Sequence, residues 1–109
     1  MDAALKSRIE TMLAQNPVLL FMKGMPEAPM CGFSARAVQI LNMVGAPYAA
    51  YNILDDDELR QGLKDYADWP TYPQLYINGE LVGGVDIMTA MYNEGELHEA
   101  LGKPLPAAE

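Results

Sequence analysis

The sequence of 109 residues has a single cysteine, Cys31, and a single histidine, His98. One cysteine cannot form a disulfide within the chain, which excludes a disulfide-stapled scaffold and suits a reducing compartment. Metal sites assembled from several cysteines and histidines at short spacing are excluded for the same reason. His98 stands in a helical stretch with no such partner nearby, so we expect it at the surface rather than on a metal.

Basic residues are also scarce. Seven Lys and Arg stand against fifteen Asp and Glu, and the formal net charge is -8 at pH 7. Non-specific binding to nucleic acid or to an anionic membrane relies on clustered positive charge, so we expect neither partner. No apolar run approaches the length that spans a membrane, and the N-terminus lacks the pattern of a signal peptide. These features predict a cytoplasmic protein.

Half of the residues are hydrophobic, which suffices for one compact domain with a single core. We predict one domain over residues 1–109, of which about 103–109 form a flexible tail. The hydrophobic pattern alternates between helical and strand-like segments. Helices are predicted at about 3–15 with a cap at Asp2, at 32–44, from a capping box of Asp55 and Glu58 to Ala67, after a cap at Asp86, and at 96–101.

Strands are predicted at 18–22, at 48–53, and on both sides of the Asn78-Gly79 turn. Residues 23–29, between the first strand and its helix, are predicted to form a loop. The strand–helix–strand unit over 18–53 makes its two strands parallel. The fold class is therefore predicted to be α/β, with a four-stranded mixed sheet flanked by about five helices in the thioredoxin-like arrangement.

Cys31 lies where this loop meets the helix at 32–44. The unpaired N–H groups and the positive dipole at a helix start stabilise a thiolate, the form that attacks disulfides and binds metals. A lone cysteine is more often a buried, inert residue. The Pro-rich loop before Cys31 and Gly32 after it favour an exposed, reactive thiol instead.

A redox motif with two cysteines releases its substrate through the second thiol. Here Ser34 occupies the position three residues after Cys31, and the chain has no other cysteine. Any disulfide must form with an outside thiol, for which glutathione is the abundant small candidate in a reducing cytosol. A [2Fe–2S] cluster needs four ligands, usually thiolates. Two chains and two glutathione molecules would supply four, which permits a bridged homodimer without requiring one.

Glutathione carries carboxylates, so an acidic chain that binds it needs local positive charge. Lys23 follows the first strand, and Arg60 and Lys64 share a helix face. The alternative is that Arg60 and Lys64 pair with nearby aspartates on a solvated face.

Two further segments could recognise a peptide. If the Tyr72-Pro73 bond is cis, the backbone of Tyr72 could pair with a bound peptide. The turn at 83–86 could present N–H groups to a carboxylate, or it could be an ordinary tight turn followed by a cap. We expect Trp69 to pack and the methionines to fill the core.

Three separated motifs resemble the monothiol glutaredoxins of the CGFS type. They are Lys23-Gly24-Met25-Pro26 through Cys31-Gly32-Phe33-Ser34, Trp69-Pro70-Thr71-Tyr72-Pro73-Gln74 and Gly83-Gly84-Val85-Asp86. The resemblance implies a thioredoxin fold and a glutathione-ligated [2Fe–2S] cluster that bridges two subunits through Cys31. It also implies cluster storage and transfer or iron homeostasis, with BolA-like and apo iron–sulfur acceptor proteins as partners. The chain would be a homodimer with the cluster and a monomer without it.

The resemblance also assigns roles by position. Lys23 and Arg60 would hold the glycine-end carboxylate of glutathione, with Lys64 nearby. The peptide backbone of glutathione would pair with the loop formed by Thr71, Tyr72 and the cis Pro73.

The γ-glutamyl end of glutathione would meet Val85 and Asp86. Phe33 would wall the cluster side, and Gly32 and Gly84 complete the predicted cofactor-binding set.

Three positions depart from the family pattern. Val85 stands where some relatives have a second cysteine, so an internal disulfide with Cys31 is not available. Tyr72 stands where phenylalanine is frequent, and Met25 where a small hydroxyl residue is common.

The primary prediction is a cluster carrier with weak or no oxidoreductase activity. The alternative is a glutathione-dependent thiol–disulfide oxidoreductase that removes glutathione from proteins through a mixed disulfide at Cys31. A third hypothesis is an interaction module whose cysteine is inert.

Overall fold

The chain alternates helices with short strands, and the computed structural model describes it over residues 1–105. The five helices are α1 (Ala3–Gln15), α2 (Gly32–Val44), α3 (Asp57–Ala67), α4 (Val85–Asn93) and α5 (Glu96–Ala100), with a 3-10 turn at Ile53–Asp55. The six strands are β1 (Val18–Met22), β2 (Gly24–Met25), β3 (Ala28–Pro29), β4 (Ala49–Asn52), β5 (Gln74–Ile77) and β6 (Glu80–Gly83).

Four strands form the main sheet, in the order β4-β1-β5-β6. β1 and β4 are parallel, while β1 with β5 and β5 with β6 are antiparallel. The predicted four-stranded mixed sheet with five helices is therefore confirmed. Both residues of the Asn78-Gly79 turn have positive φ, 50° and 82°, which is the backbone that a two-residue hairpin turn needs.

The remaining two strands form a small hairpin before α2. Gly24 pairs with Pro29 and Met25 with Ala28, in a segment that was predicted to be a loop. With only two residues in each strand, no alternation of polar and apolar residues could indicate the pairing. The hairpin folds the chain tightly just before Cys31.

The sheet has a separate hydrophobic core on each face, because neighbouring residues of a strand point to opposite sides. Leu20 and Met22 pack on one side with residues of α2, α4 and α5. Leu19 and Phe21 pack on the other side with residues of α1 and α3. On that second side the rings of Phe21 and Tyr76 meet edge to face, with centroids 5.6 Å apart.

The caps of α1 and α3 come from aspartates, although not in each case from the predicted one. Asp2 accepts a hydrogen bond from the backbone N–H of Ala4, as predicted. The prediction of Asp55 as the cap of α3 is wrong, because Asp55 ends the 3-10 turn and Asp56 is the N-cap. Asp56 Oδ1 accepts from the N–H of Leu59 at 3.1 Å. The intervening turn shifts the helix start by one residue.

The predicted cap of α4 is also wrong. Asp86 lies inside the first turn, and the N-cap is Gly84, whose lack of a side chain leaves the helix start without a side-chain hydrogen bond. Within residues 1–105, no side chain therefore caps the first amides of α4.

His98 is buried, with 3% of its surface exposed, and the prediction that it lies at the surface is wrong. Gly95, with φ 78°, turns the chain between α4 and α5, so that the ring of His98 lies 5.4 Å from that of Tyr92. Lys103 N donates to the carbonyl of His98 at 2.9 Å. Residues 106–109 of the predicted tail lie outside the described residues.

Within residues 1–105, no helix combines the length and the apolar character that crossing a membrane requires.

Candidate functional site

A groove of about 600 Å³ opens beside Cys31. Its walls come from the end of β1, the start of α2, one face of α3, the loop at 69–73 and the start of α4. The lining residues are Lys23, Cys31, Phe33, Arg60, Lys64, Trp69, Pro70, Thr71, Tyr72, Pro73, Gly84, Val85, Asp86 and Ile87.

All the sequence-predicted site residues except Gly32 line this groove. Gly32 is the first residue of α2, and a Cβ there would meet none of the other described residues within 4 Å. Sequence reasoning missed three lining residues, namely Trp69, Pro70 and Ile87. Trp69 and Pro70 stand inside a motif that had already been singled out, so their position could have indicated them.

Cys31 is the N-cap of α2, in an extended backbone conformation (φ -156°, ψ 138°), and is half-buried. It makes no side-chain cap hydrogen bond, so the amides of the first turn act on its sulfur as oriented dipoles. The amide of Ser34 contributes most to lowering the pKa of the Cys31 thiol, followed by the amide of Phe33 and the charge of Lys23, while burial opposes them. More of this thiol is thiolate near neutral pH than in an ordinary cysteine.

Ser34 has a structural role at the position where a second thiol would act. Its side chain is fully buried, and its hydroxyl oxygen accepts from the N–H of Lys23 at 3.0 Å. The carbonyl of Lys23 in turn accepts from the N–H of Met30 at 2.9 Å. These two bonds anchor the backbone of Lys23 beside the reactive sulfur.

Asn52 joins the segment before α2 to the segment before α3. Its Oδ1 accepts from the N–H of Gly24 at 2.9 Å and from the N–H of Leu54 at 3.0 Å. The first of these bonds connects the small hairpin to the end of β4. The same Asn52 side chain therefore stabilises both the segment before Cys31 and the segment before α3.

Arg60 and Lys64 lie one turn apart on the face of α3 that lines the groove. The alternative that they pair with neighbouring aspartates is not realised within residues 1–105, where the ion pair recorded is Arg8 with Asp56. In the part of the chain that the structure describes, the buried Arg60 Nε has no hydrogen-bond partner. With Lys23, the groove of this acidic chain therefore presents three cations.

The loop at 69–73 forms the facing wall. The Tyr72-Pro73 bond is cis, as predicted. Gln74, which is fully buried, donates from Nε2 to the carbonyls of Trp69 at 3.1 Å and Thr71 at 3.3 Å. Its Oε1 accepts from the hydroxyl of Tyr76 at 2.8 Å, so the loop is braced from the core behind it.

The start of α4 closes the groove at Gly84. A Cβ there would lie 3.3 Å from the carbonyl oxygen of Pro73 and 3.7 Å from Nε1 of Trp69. A side chain would press on the loop wall, so glycine allows α4 to approach it closely. Val85 and Asp86, the first two residues of this helix, line the groove, so the uncapped amides lie at its wall.

The mouth of the groove is apolar and exposed. Met30 is 70% exposed, Phe33 66% and Ile87 38%, and two of them line the groove itself. Large apolar side chains left in water next to a reactive group are typical of a surface that another molecule covers.

Comparison with known proteins identifies the family. The family model described as Glutaredoxin matches residues 18–82. The chain is 52% identical over 101 residues to the protein named uncharacterized monothiol glutaredoxin ycf64-like of Synechocystis, covering 93% of this chain and 94% of that protein. It is 55% identical over 93 residues to the probable monothiol glutaredoxin 2 of Rickettsia felis, covering 85% and 89%. The chain belongs to the monothiol glutaredoxins.

Other glutaredoxins share this fold. The solution structure of reduced poplar apo GrxS14 matches with a TM-score of 0.78 and 49% identity, covering 90% of both chains. The holo form of glutaredoxin C1 from Populus tremula x tremuloides matches with a TM-score of 0.81 and 26% identity, covering 91% of this chain and 87% of that one. Some relatives are much longer, since the chain spans 20% of monothiol glutaredoxin-S17 of Arabidopsis thaliana, at 55% identity over 97 residues.

Proposed function

We propose that this monothiol glutaredoxin binds glutathione in the groove and holds, with it, a [2Fe–2S] cluster shared between two copies of the chain. The cluster is cargo for storage and transfer to acceptor proteins in iron homeostasis. One observation carries the proposal: a half-exposed thiol of lowered pKa opens on a groove whose three cations form no ion pair within residues 1–105, in a chain without a second cysteine.

The groove suits a small acidic tripeptide. Its volume of about 600 Å³ lies within the usual range for small-molecule sites. Lys23, Arg60 and Lys64 complement a carboxylate at one end, and the uncapped amides of α4 complement one at the other. The glutathione sulfur would then lie beside Cys31, since the thiol lines the same groove.

A test of glutathione binding compares a lysine inside the groove with a lysine outside it. Lys64→Gln removes a groove cation, whereas Lys6→Gln removes an exposed lysine of α1 outside the groove. Calorimetric titration with glutathione should show weaker binding for Lys64→Gln alone. Equal binding by the two variants would contradict the assignment of the groove.

The donor set suits a cluster that is completed from outside the chain. Residues 1–105 contain no group of three or more His, Cys, Asp or Glu side chains placed to hold a metal, and a [2Fe–2S] cluster needs four ligands. Cys31 would supply one thiolate and bound glutathione a second, and a second copy would supply the same pair. The exposed Met30 and Phe33 would be covered when two copies meet, and the neighbour described as a holo form supports cofactor binding on this fold.

Reconstitution tests the carrier function directly. Anaerobic incubation with iron, sulfide and glutathione should give a coloured dimer on size exclusion, and the apo chain should elute as a monomer. Cys31→Ser, or omission of glutathione, should abolish both colour and dimer. Colour retained by Cys31→Ser would contradict the proposal. BolA-like proteins and apo iron–sulfur proteins are the partners to add once the coloured dimer is in hand.

The lowered pKa of Cys31 also supports a second candidate function, removal of glutathione from proteins. The Cys31 thiolate would attack the glutathione sulfur of a protein–glutathione disulfide, forming a Cys31–glutathione disulfide and releasing the protein thiolate, which takes up a proton. The thiolate of a second glutathione would attack that disulfide, giving oxidised glutathione and restoring the Cys31 thiolate. Turnover of a glutathionylated peptide at about 1 s⁻¹ or above would favour this enzyme role over the carrier.

A further inference from the structure

One hydrogen bond joins the two facing walls of the groove. The hydroxyl of Tyr72, in the loop at 69–73, donates to the backbone carbonyl of Arg60 in α3 at 2.6 Å. Tyr72 is 6% exposed, and burial raises the pKa of its hydroxyl. The hydroxyl therefore stays protonated, and remains a donor, throughout the physiological pH range.

The acceptor of this bond lies in the turn that carries the groove cations. In an α-helix the carbonyl of one residue accepts from the N–H four residues later, so the Arg60 carbonyl also belongs to the turn that ends at Lys64. A carbonyl has two lone pairs and can accept from both donors. Tyr72 thus holds the turn that joins the two basic residues.

The loop is a firm support for that turn. Gln74 donates to the carbonyls of Trp69 and Thr71, and Tyr76 fixes Gln74 from within the core. The sheet thereby fixes the position of the loop. The Tyr72 hydroxyl, through its bond to Arg60, fixes the distance between this loop and α3.

The Arg60 side chain lies beside this contact. Its charge acts on the pKa of the Tyr72 hydroxyl, and within residues 1–105 its buried Nε has no hydrogen-bond partner. Arg60 also lines the groove, so a shift of its turn would shift its side chain there.

We propose that Tyr72 is a positioning residue for glutathione: its hydroxyl holds the Arg60–Lys64 turn of α3 at the separation from the loop that fits the glycine-end carboxylate. This inference rests on the proposed binding of glutathione in the groove. One hydroxyl oxygen, which phenylalanine lacks, thereby affects the affinity for the glycine-end carboxylate without contact between Tyr72 and that carboxylate.

The test compares two disulfides at equilibrium. Cys31 exchanges with oxidised glutathione, giving the Cys31–glutathione disulfide and one reduced glutathione, so the equilibrium constant reports how well the groove holds the tripeptide. The same exchange is measured with the disulfide of glutathione esterified at its glycine carboxylate, which carries no charge there. Tyr72→Phe should lower the constant for oxidised glutathione about fivefold, the size expected for one hydrogen bond, and leave that for the ester unchanged.

Tyr51→Phe is the matched control. The Tyr51 hydroxyl also bonds to the α3 segment, through Asp56 at 2.9 Å, but Tyr51 does not line the groove and Asp56 keeps Arg8 as its partner. This variant should leave both constants unchanged. An equal loss for the two disulfides in Tyr72→Phe, or the same loss in Tyr51→Phe, would overturn the inference and leave the proposed function standing. A wild-type chain with no preference for oxidised glutathione over the ester would overturn the carboxylate assignment and the inference together.

Discussion

The helices α2 and α3 both begin at an ionisable N-cap side chain, Cys31 and Asp56, yet the two caps have different surroundings. Asp56 accepts from the N–H of Leu59, forms an ion pair with Arg8 and accepts from the hydroxyl of Tyr51. Cys31 has no side-chain cap hydrogen bond. One helix start is saturated with partners, and the other is left open toward the groove.

The pKa of each group is lowered, but the causes differ. For Asp56 the largest cause is the hydrogen bond from Arg8. For Cys31 it is the backbone amide of Ser34, and the charge of Lys23 contributes less. An anion that side-chain partners enclose stabilises the fold, whereas an anion stabilised mainly by helix amides can still face a substrate. The same dipole thus serves structure at α3 and chemistry at α2.

The largest way to break this comparison is to disturb the chain that leads into Cys31. Gly24 has φ 87°, and a Cβ there would lie 2.6 Å from the carbonyl oxygen of Ala28 and 2.7 Å from the N of Met30. Gly24→Ala should therefore reduce the free energy of unfolding by about 3 kcal/mol, from left-handed strain plus backbone crowding. It should also change the rate at which Cys31 is alkylated. Urea unfolding and alkylation kinetics measure the two effects.

Gly45→Ala separates strain from crowding in that experiment. Gly45 also has positive φ, 81°, but a Cβ there would meet nothing within 4 Å. This variant should lose only about 1 kcal/mol and should alkylate like the wild type. If the two variants lost the same unfolding free energy and both alkylated like the wild type, the packing of the hairpin would not constrain the start of α2.

Asp56→Ala removes the N-cap of α3, the cap that has several side-chain and backbone partners. The variant should lose about 2 kcal/mol of unfolding free energy, at the upper end for an N-cap, because Arg8 and Tyr51 lose a partner along with the Leu59 amide. The pH dependence of Cys31 alkylation should stay as in the wild type. Asp55→Ala, one residue earlier, should cost little, since within residues 1–105 the side chain of Asp55 makes a single hydrogen bond, from Asn52 at 3.3 Å. A larger loss of unfolding free energy for Asp55→Ala than for Asp56→Ala would indicate that Asp55 is the N-cap of α3, as the sequence predicted.

Features that depend on short stretches of sequence could be predicted. The Asn78-Gly79 hairpin, the bounds of α2 at 32–44 and the position of Cys31 at a helix start all follow from neighbouring residues. The chemistry of Cys31, of the basic residues and of the turn at 83–86 could be inferred from the sequence, but only the resemblance to a family implied that these distant segments meet in one groove. The cytoplasmic location stays a prediction.

Features that depend on distant contacts could not be predicted. The choice of Asp56 over Asp55 as a cap is linked to Arg8, on another helix. The burial of His98 follows from the way Gly95 turns the chain between α4 and α5. In each case the local pattern was compatible with both outcomes, and packing decided between them.

The two caps should also stabilise the fold in the same direction of pH, but each from a different pH upward. Because the pKa of Asp56 is lowered on folding, its contribution is present above about pH 4 and is lost as pH falls further, through the folded pKa. The pKa of Cys31 is lowered too, so its contribution is complete only above about pH 8.5, the ordinary thiol value, and is lost as pH falls through the folded pKa. Urea unfolding from pH 3 to 10 should show Cys31→Ser losing stability relative to wild type as pH rises through the lowered folded pKa, with the full difference above about pH 8.5. A difference that grows in acid would contradict this.

The smallest effect should come from Lys23→Gln, and it sharpens the claim that amides rather than side-chain charge activate the thiol. Because the lysine charge ranks behind the amides of Ser34 and Phe33, the variant should raise the pKa of Cys31 only slightly and slow its alkylation at pH 7 about twofold, as for an exposed charge pair. The difference from wild type should vanish in 1 M salt, which screens side-chain charges, while both proteins keep a thiol pKa below that of free cysteine. Arg36→Gln, an exposed cation on α2 that does not act on the thiol, serves as the charge control. If Lys23→Gln alone returned the thiol to the behaviour of free cysteine, the open helix start would not be the source of its reactivity.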